Sequence, residues 1–404
     1  MSEHEEKYNV NLLGSDEQAL RLSRLKELMR RAGIVDAIVR DNADIYYLTG
    51  RVFRGYIYIN VERDLPLYFV KQPNHLYSEP AELLYRIRKP EDIAPALAAL
   101  GIETSMPALE LDSISYTEAS RLRKSFGATE AQPDISPVMR GARSVKTAAE
   151  QEMLRRSGAK QTLVYERIPQ LYSEGMTDIE LQIEIERASR LEGCLGQFRV
   201  AGPDMELFMG NVLTGDNADT PSPYDFAMGG EGLDPSIPVG ANGTMIKPGM
   251  PVMVDVNGNY NGYMTDMTRM YIAGDIPAEA ERANELSAAI CEQLAAMMTP
   301  GAKAADLYAR ALQMASEAGM EEYFMGHRSH AGFVGHGVGI EVNEAPVIAP
   351  RSRDILADGN VIALEPKFVI PGLGAVGVEN TYIVHADRAA EVITTARTAI
   401  SLLD

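Results

Sequence analysis

A chain of 404 residues, 46% hydrophobic and 24% charged, is long enough for two domains with separate cores and has an ordinary globular composition. Its formal net charge of −19, with no basic cluster large enough to reverse it locally, excludes a nucleic-acid partner. No stretch approaches a membrane span, the acidic start MSEHEEKYNV does not read as a secretory signal, and Cys194 and Cys291 form no CxxC pair, all of which fits a reducing cytoplasm.

The first element is a predicted helix over 15–33, opened by a capping-box pattern at Ser15 and Gln18. Runs at 36–40, 56–61 and 66–71 read as strands, 90–101 as a helix, 106–112 as a strand and 117–127 as a helix. Alternating strands and helices predict a small α/β domain over 1–143. Two prolines and a basic end mark a break near 131–146, so a second domain is expected over 144–404.

Capping boxes at Thr147/Glu150 and Thr177/Glu180 open the next two helices. Residues 201–249 are rich in Gly, Pro, Asn and Asp, and a long uncommitted segment of this kind is often functional. Helices are expected at 278–298 and 304–319, where the methionines fall at helical spacing and read as core.

Two matched hairpin patterns carry the chemistry. VMVDVNGNYNGYMTDMTRM (252–270) places Asp255 and Asp266 eleven residues apart across a turn; VIALEPKFVIPGLGAVGVENTYIV (361–384) places Glu365 and Glu379 fourteen apart across another. A carboxylate directly after VMV or VIAL is costly to bury unless paired or metal-bound. Between the hairpins, His336 sits among glycines in GFVGHGVGIEVNEAP, where the backbone can approach a ligand closely. Four oxygen ligands and one imidazole suit two divalent ions (Mn, Zn, Co or Fe) better than one structural zinc. Of the other histidines, His4 and His75 lie outside this region, His385 follows the last strand, and His327 and His330 are candidates for a pocket.

The patterns VDVNGxxxGYxxDxTR, GHGVGxExxEAP, LEP and GVEN together resemble the pita-bread metallopeptidases: aminopeptidase P, prolidase, methionine aminopeptidase and the related creatinase. YYLTG (46–50) and SVKTAAEQEMLRRSG (144–158) extend the resemblance to a creatinase-like α/β N-terminal domain and the first helix of an α+β pita-bread catalytic domain. The resemblance implies a homodimer and a dinuclear hydrolase of peptides. Asp255 would bind one metal, Asp266 and Glu379 would bridge both, and His336 and Glu365 would complete the other. A bridging water would be the nucleophile and Glu365 its proton acceptor, with Thr268 and Arg269 in support.

The departures from the family concern substrate. Proline-specific relatives carry histidines where this chain has the loop 215–230, Gly332 and Asn343, an arginine at Gly377, and an aspartate at Asn380. These groups hold substrate in the relatives, and Asn343, Tyr224 or His330 could take their place. Two functions follow: an Xaa-Pro aminopeptidase or dipeptidase, or a creatinase-like hydrolase or lyase of a small non-peptide substrate.

Overall fold

The computed structural model describes residues 13–72, 81–104, 106–128, 132–202, 205, 207–224 and 226–403. His4 and His75 lie outside them. The chain divides into two compact units between Arg143 and Ser144.

In the first unit, α1 (Ser15–Arg31) has Gly14 as its N-cap with no side-chain cap bond, so the expected Ser15/Gln18 capping box does not form; Ser15 is already helical, and the Gln18 amide instead donates to the Thr49 carbonyl. A five-stranded mixed sheet follows, built from β1 (Asp36–Val39), β2 (Arg54–Asn60), β3 (Leu67–Gln72), β4 (Leu84–Arg86) and β5 (Ala108–Leu109) in the order β4-β3-β2-β1-β5. Ile38, Tyr56, Tyr58 and Phe69 bury one core with Leu97 and Leu122. Two helices were not legible: α2 (Asn42–Thr49), capped by the Asp41 carboxylate, and a helix over Ser136–Ser144 inside the expected break. Its Met139, Ala142 and Arg143 are buried. Pro137 at its second position is tolerated because a first-turn N–H has no helical partner anyway.

In the second unit both expected capping boxes form, at Thr147/Glu150 and Thr177/Glu180, opening helices over Ala148–Tyr165 and Asp178–Leu191. Two curved sheets carry the site. One has the order β18-β10-β7-β6: β6 (Gly210–Thr214), β7 (Pro251–Val256), β10 (Thr268–Ile272) and β18 (Ser401–Leu402). The other is β12-β11-β13-β16-β17: β11 (Gly335–Gly337), β12 (Glu344–Ile348), β13 (Val361–Leu364), β16 (Asn380–Ile383) and β17 (Glu391–Val392). Within the hairpins sit two small ladders, β8 (Gly258–Asn259) with β9 (Met264–Thr265), and β14 (Lys367–Ile370) with β15 (Gly374–Gly377). Strand β6 lies in the segment expected to be loop; its Gly210 and Asn211 pair with Val256 and Asp255.

The period of two along β7 decides where its acid points. Val252, Val254 and Val256 pack into one core with Leu181 and Ile185, while Met253 packs into the other with Ile290 and Leu294. Asp255 shares the Met253 face.

Outside this cluster, Glu391 on β17 receives Arg155 through two bonds of 2.7 and 3.0 Å, with His385 and Arg388 at 2.8 Å. The Arg155 bonds hold its carboxyl down at about 2, below the ordinary 4.5. A depressed folded-state pKa contributes stability that is full above the unfolded value and fades as pH falls toward about 2. Glu391→Gln is therefore expected to cost about 1 kcal/mol at pH 7, in keeping with a part-exposed pair. Thermal melts should show the difference vanish in acid, and an equal loss at both pH values would sink the assignment.

Candidate metal centre

The two hairpins interlock through a repeated acid-x-Thr pattern, Asp266-Met267-Thr268 and Glu379-Asn380-Thr381. The Thr268 hydroxyl donates to Glu379 Oε2 at 2.8 Å. Thr381 Oγ1 accepts from the Asp266 amide at 3.0 Å and donates to the Asp266 carbonyl at 2.8 Å. The Glu379 amide donates to the Thr268 carbonyl at 3.1 Å. Each acid is thus held by the other hairpin. Asp255 pairs in register with Thr268, and Asp266 and Glu379 fall just outside the outer ladders. Glu365 follows the last residue of β13.

Behind the acids the Arg269 guanidinium is buried and fully engaged. It donates to the carbonyls of Thr268, Glu379, Thr394 and Ala396 and to the Asn380 side-chain oxygen. Its role is support, as expected. In front, His336 Nδ1 faces the Gly337 carbonyl at 3.2 Å, which leaves Nε2 turned to Glu365 at 3.3 Å and Asp266 at 3.9 Å. Glycines at 335 and 337 permit this, because a Cβ at either would meet a neighbouring carbonyl oxygen at 2.5 or 2.3 Å. Glu344 braces the loop beyond, accepting from the amides of Ile340 and Glu341 and from the buried Lys146.

All five expected residues line one cavity of about 70 Å³, with Asn257, Asn211, Phe226, Phe333 and Val342 among its walls. Two trios of donors could hold an ion: Asp266, His336 and Glu379, and Asp255, Glu365 and Glu379. The first fits. Glu379 Oε1 is buried and has no hydrogen-bond partner among the described residues, and a buried carboxylate oxygen in that state is costly unless a cation meets it.

The second trio already holds a cation. Lys367, fully buried on β14, places Nζ 2.7 Å from Glu365, 2.8 Å from Asp255 and 3.2 Å from Glu379. No expectation from sequence named it. The signal was there: KFVI is a lysine in a run that continues an apolar strand, and a lysine buried in such a run must meet acids.

Electrostatics separate the two ends of the cluster. Burial works against the Lys367 charge, but Asp255, Glu365 and Glu379 outweigh it and hold the ammonium well above its ordinary pKa. Burial would raise Glu365, yet Lys367 and His336 bring it down to about 2. At the other end burial, and then Asp255, push Asp266 up to about 7. Burial and then Asp266 push Glu379 well up. Burial disfavours the His336 charge, but Glu365 outweighs it and raises the imidazole to about 9. Asp266 and Glu379 are therefore the acids of the cluster least ready to ionise without a further cation.

The three substrate-binding candidates are placed differently. Asn343 lines the cavity, with its amide bound to the Ala201 backbone, accepting from N at 2.7 Å and donating to O at 3.0 Å. Tyr224 packs on Phe226, and His330 turns Nδ1 to the Phe324 carbonyl; neither lines the cavity.

A model of metallopeptidase family M24 matches residues 152–386, and one of the creatinase/prolidase N-terminal domain matches 21–145. The chain is 24% identical over 387 residues to the Xaa-Pro dipeptidase of Pyrococcus horikoshii, covering 94% of this chain and 98% of that one. Among solved structures it is similar to an Xaa-Pro dipeptidase from Bacillus anthracis (TM-score 0.78, 22% identity, 96% of this chain and 100% of that one). It is similar also to the dipeptidase PepE from Mycobacterium ulcerans (TM-score 0.76, 22% identity, 97% and 100%). These likenesses confirm the expected two-domain pita-bread fold with its creatinase-type N-terminal domain. With the family model covering more than half its length, the chain belongs to metallopeptidase family M24, the metal-dependent hydrolases.

Proposed function

We propose that the chain is a metal-dependent Xaa-Pro peptidase in which Asp266, His336 and Glu379 hold a divalent ion and Glu365 moves the proton. The observation that carries this is the orphaned Glu379 Oε1 in a carboxylate that groups with Asp266 and His336 in one cavity. The printed names of the relatives, Xaa-Pro dipeptidase among them, support the substrate class. When bound, the ion supplies a polarised carbonyl and a water acidic enough to deprotonate near neutral pH. Glu365 lines the same cavity, 3.3 Å from His336 Nε2, and would be the carboxylate placed to take up a proton there and pass it to the leaving amine. Phe226, Phe333 and Val342 give the cavity apolar walls suited to a proline ring. Asn343, fastened to the Ala201 backbone, shapes this wall and has a second side-chain N–H beyond that bond. The same reading takes the enzyme as a cytoplasmic homodimer, which its mass in solution checks. No helix among the described residues is long and apolar enough to cross a membrane.

The test is mass-spectrometric cleavage of Xaa-Pro dipeptides, Xaa-Pro-Yaa peptides and small N-substituted amides, with the enzyme loaded in turn with Mn, Zn or Co. Release of the residue before proline is the expected result. Intact proline peptides under every metal, with an amide consumed, would move the assignment to a small-molecule hydrolase.

A further inference from the structure

We propose that the Lys367 ammonium permanently fills one of the two cation positions of this centre, so that each chain takes one divalent ion and not two. The inference rests on the cluster being a metal centre, as proposed above, and not on the identity of the substrate.

Three observations carry it. The three carboxylates that meet Nζ, those of Asp255, Glu365 and Glu379, are the same three that form the second candidate trio. An ammonium has three protons, and here each has a carboxylate acceptor, so the lysine is satisfied where it lies and an incoming ion would have to expel a buried charge. The acids stand 2.7–3.2 Å from the nitrogen, which is hydrogen-bond spacing; oxygens bound to a small divalent ion approach to about 2.0–2.2 Å.

The second observation is the strand opposite. Lys367 pairs in register with Gly377. A Cβ at 377 would lie 2.9 Å from Lys367 Cα and 3.0 Å from its Cγ. The bare glycine is what lets the lysine stem run through this slot into the acids. Gly377 and Lys367 therefore form one unit, the bare backbone at 377 making room for the stem at 367.

Charge supplies the third. Four carboxylates, Asp255, Asp266, Glu365 and Glu379, meet in the cluster. One divalent ion with the ammonium leaves a single negative charge beside neutral His336. Two divalent ions with the ammonium retained would crowd three cations against four carboxylates, and the cations would repel one another at close range in a buried site. The lysine's protons are all engaged and it offers no position for a water. It acts as a positioning residue, fixing Glu365 and Asp255 while the ion at Asp266, His336 and Glu379 meets the substrate.

The experiment counts metal. Wild-type protein and Lys367→Gly are stripped, loaded with excess Mn(II), desalted, and measured for metal per chain by elemental analysis. Electron paramagnetic resonance then distinguishes isolated Mn(II) from an exchange-coupled pair. The expected result is one isolated ion per wild-type chain and two coupled ions in Lys367→Gly. Two coupled ions in the wild type would overturn the inference, as would a folded Lys367→Gly that still takes one. If Lys367→Gly does not fold, the wild-type spectrum decides alone. Two ions together with Xaa-Pro cleavage would defeat the lysine assignment only. One ion without such cleavage would defeat the substrate reading only, and a wild type that takes none would remove both.

Discussion

Asp266→Asn is expected to lower kcat/KM by about 10³-fold or more while leaving the metal-free protein at least as stable as the wild type. The two halves of this result have different causes. Catalysis falls because a carboxylate of the ion-holding trio becomes a neutral amide, and the several kcal/mol a bound ion contributes to the transition state are lost, each 1.4 or so being tenfold, about three decades in all. Stability is spared because Asp266 is strained by its neighbours in the metal-free state: burial and Asp255 raise its carboxyl to about 7. A neutral residue of the same shape removes that repulsion. Its backbone bonds to Thr381 do not depend on the side chain. The measurement is a pair of melts, with chelator and with Mn(II), beside steady-state kinetics. Wild-type stabilisation by Mn(II) should disappear in the variant. A variant that keeps wild-type turnover, or that melts well below wild type in chelator, would contradict the assignment.

The site was largely legible because its acids break a strong local rule. Asp255 and Glu365 interrupt or directly follow apolar runs, and the period of two forces them onto faces already committed to the interior. Asp266 and Glu379 were legible as partners in the return strands, and the acid-x-Thr repeat that locks the hairpins together was present in plain sequence. Lys367 was not legible because a lone lysine after Glu365-Pro366 matches no ligand pattern, yet it satisfies acids without metal. Strand β6 escaped for a different reason. Gly210 adopts φ of +145°, and a Cβ there would lie 2.1 Å from the Asp255 carbonyl oxygen, so the residue that permits the close pairing is one that reads as loop. The Ser136–Ser144 helix was hidden by the very proline that its first turn tolerates. Ser15 failed as a cap because helix geometry begins one residue earlier than the capping pattern assumes, at Ser15 itself, which leaves the cap position to Gly14.

Arg269→Met is expected to cost about 3–5 kcal/mol of stability, a large share of the roughly 5–15 kcal/mol that a domain possesses. Methionine keeps the apolar stem and removes the fork. Four backbone carbonyls and the Asn380 oxygen then lose a charged donor in a region where water does not reach, each such loss costing about 1–3 kcal/mol before relaxation. Arg269→Lys should recover only a fraction, since one ammonium cannot span acceptors from residues 268, 379, 380, 394 and 396 that the planar guanidinium meets at once. Urea unfolding of the three proteins in chelator measures this directly, and a loss below about 1 kcal/mol for the methionine variant would refute it. The consequence reaches the centre through one bond. Arg269 Nη1 holds the Glu379 carbonyl at 2.7 Å, while the Glu379 carboxylate faces Thr268, Lys367 and the open end of the cluster. Freeing that backbone loosens the one acid shared by both donor trios, so metal retention should weaken even in the fraction of Arg269→Met that remains folded.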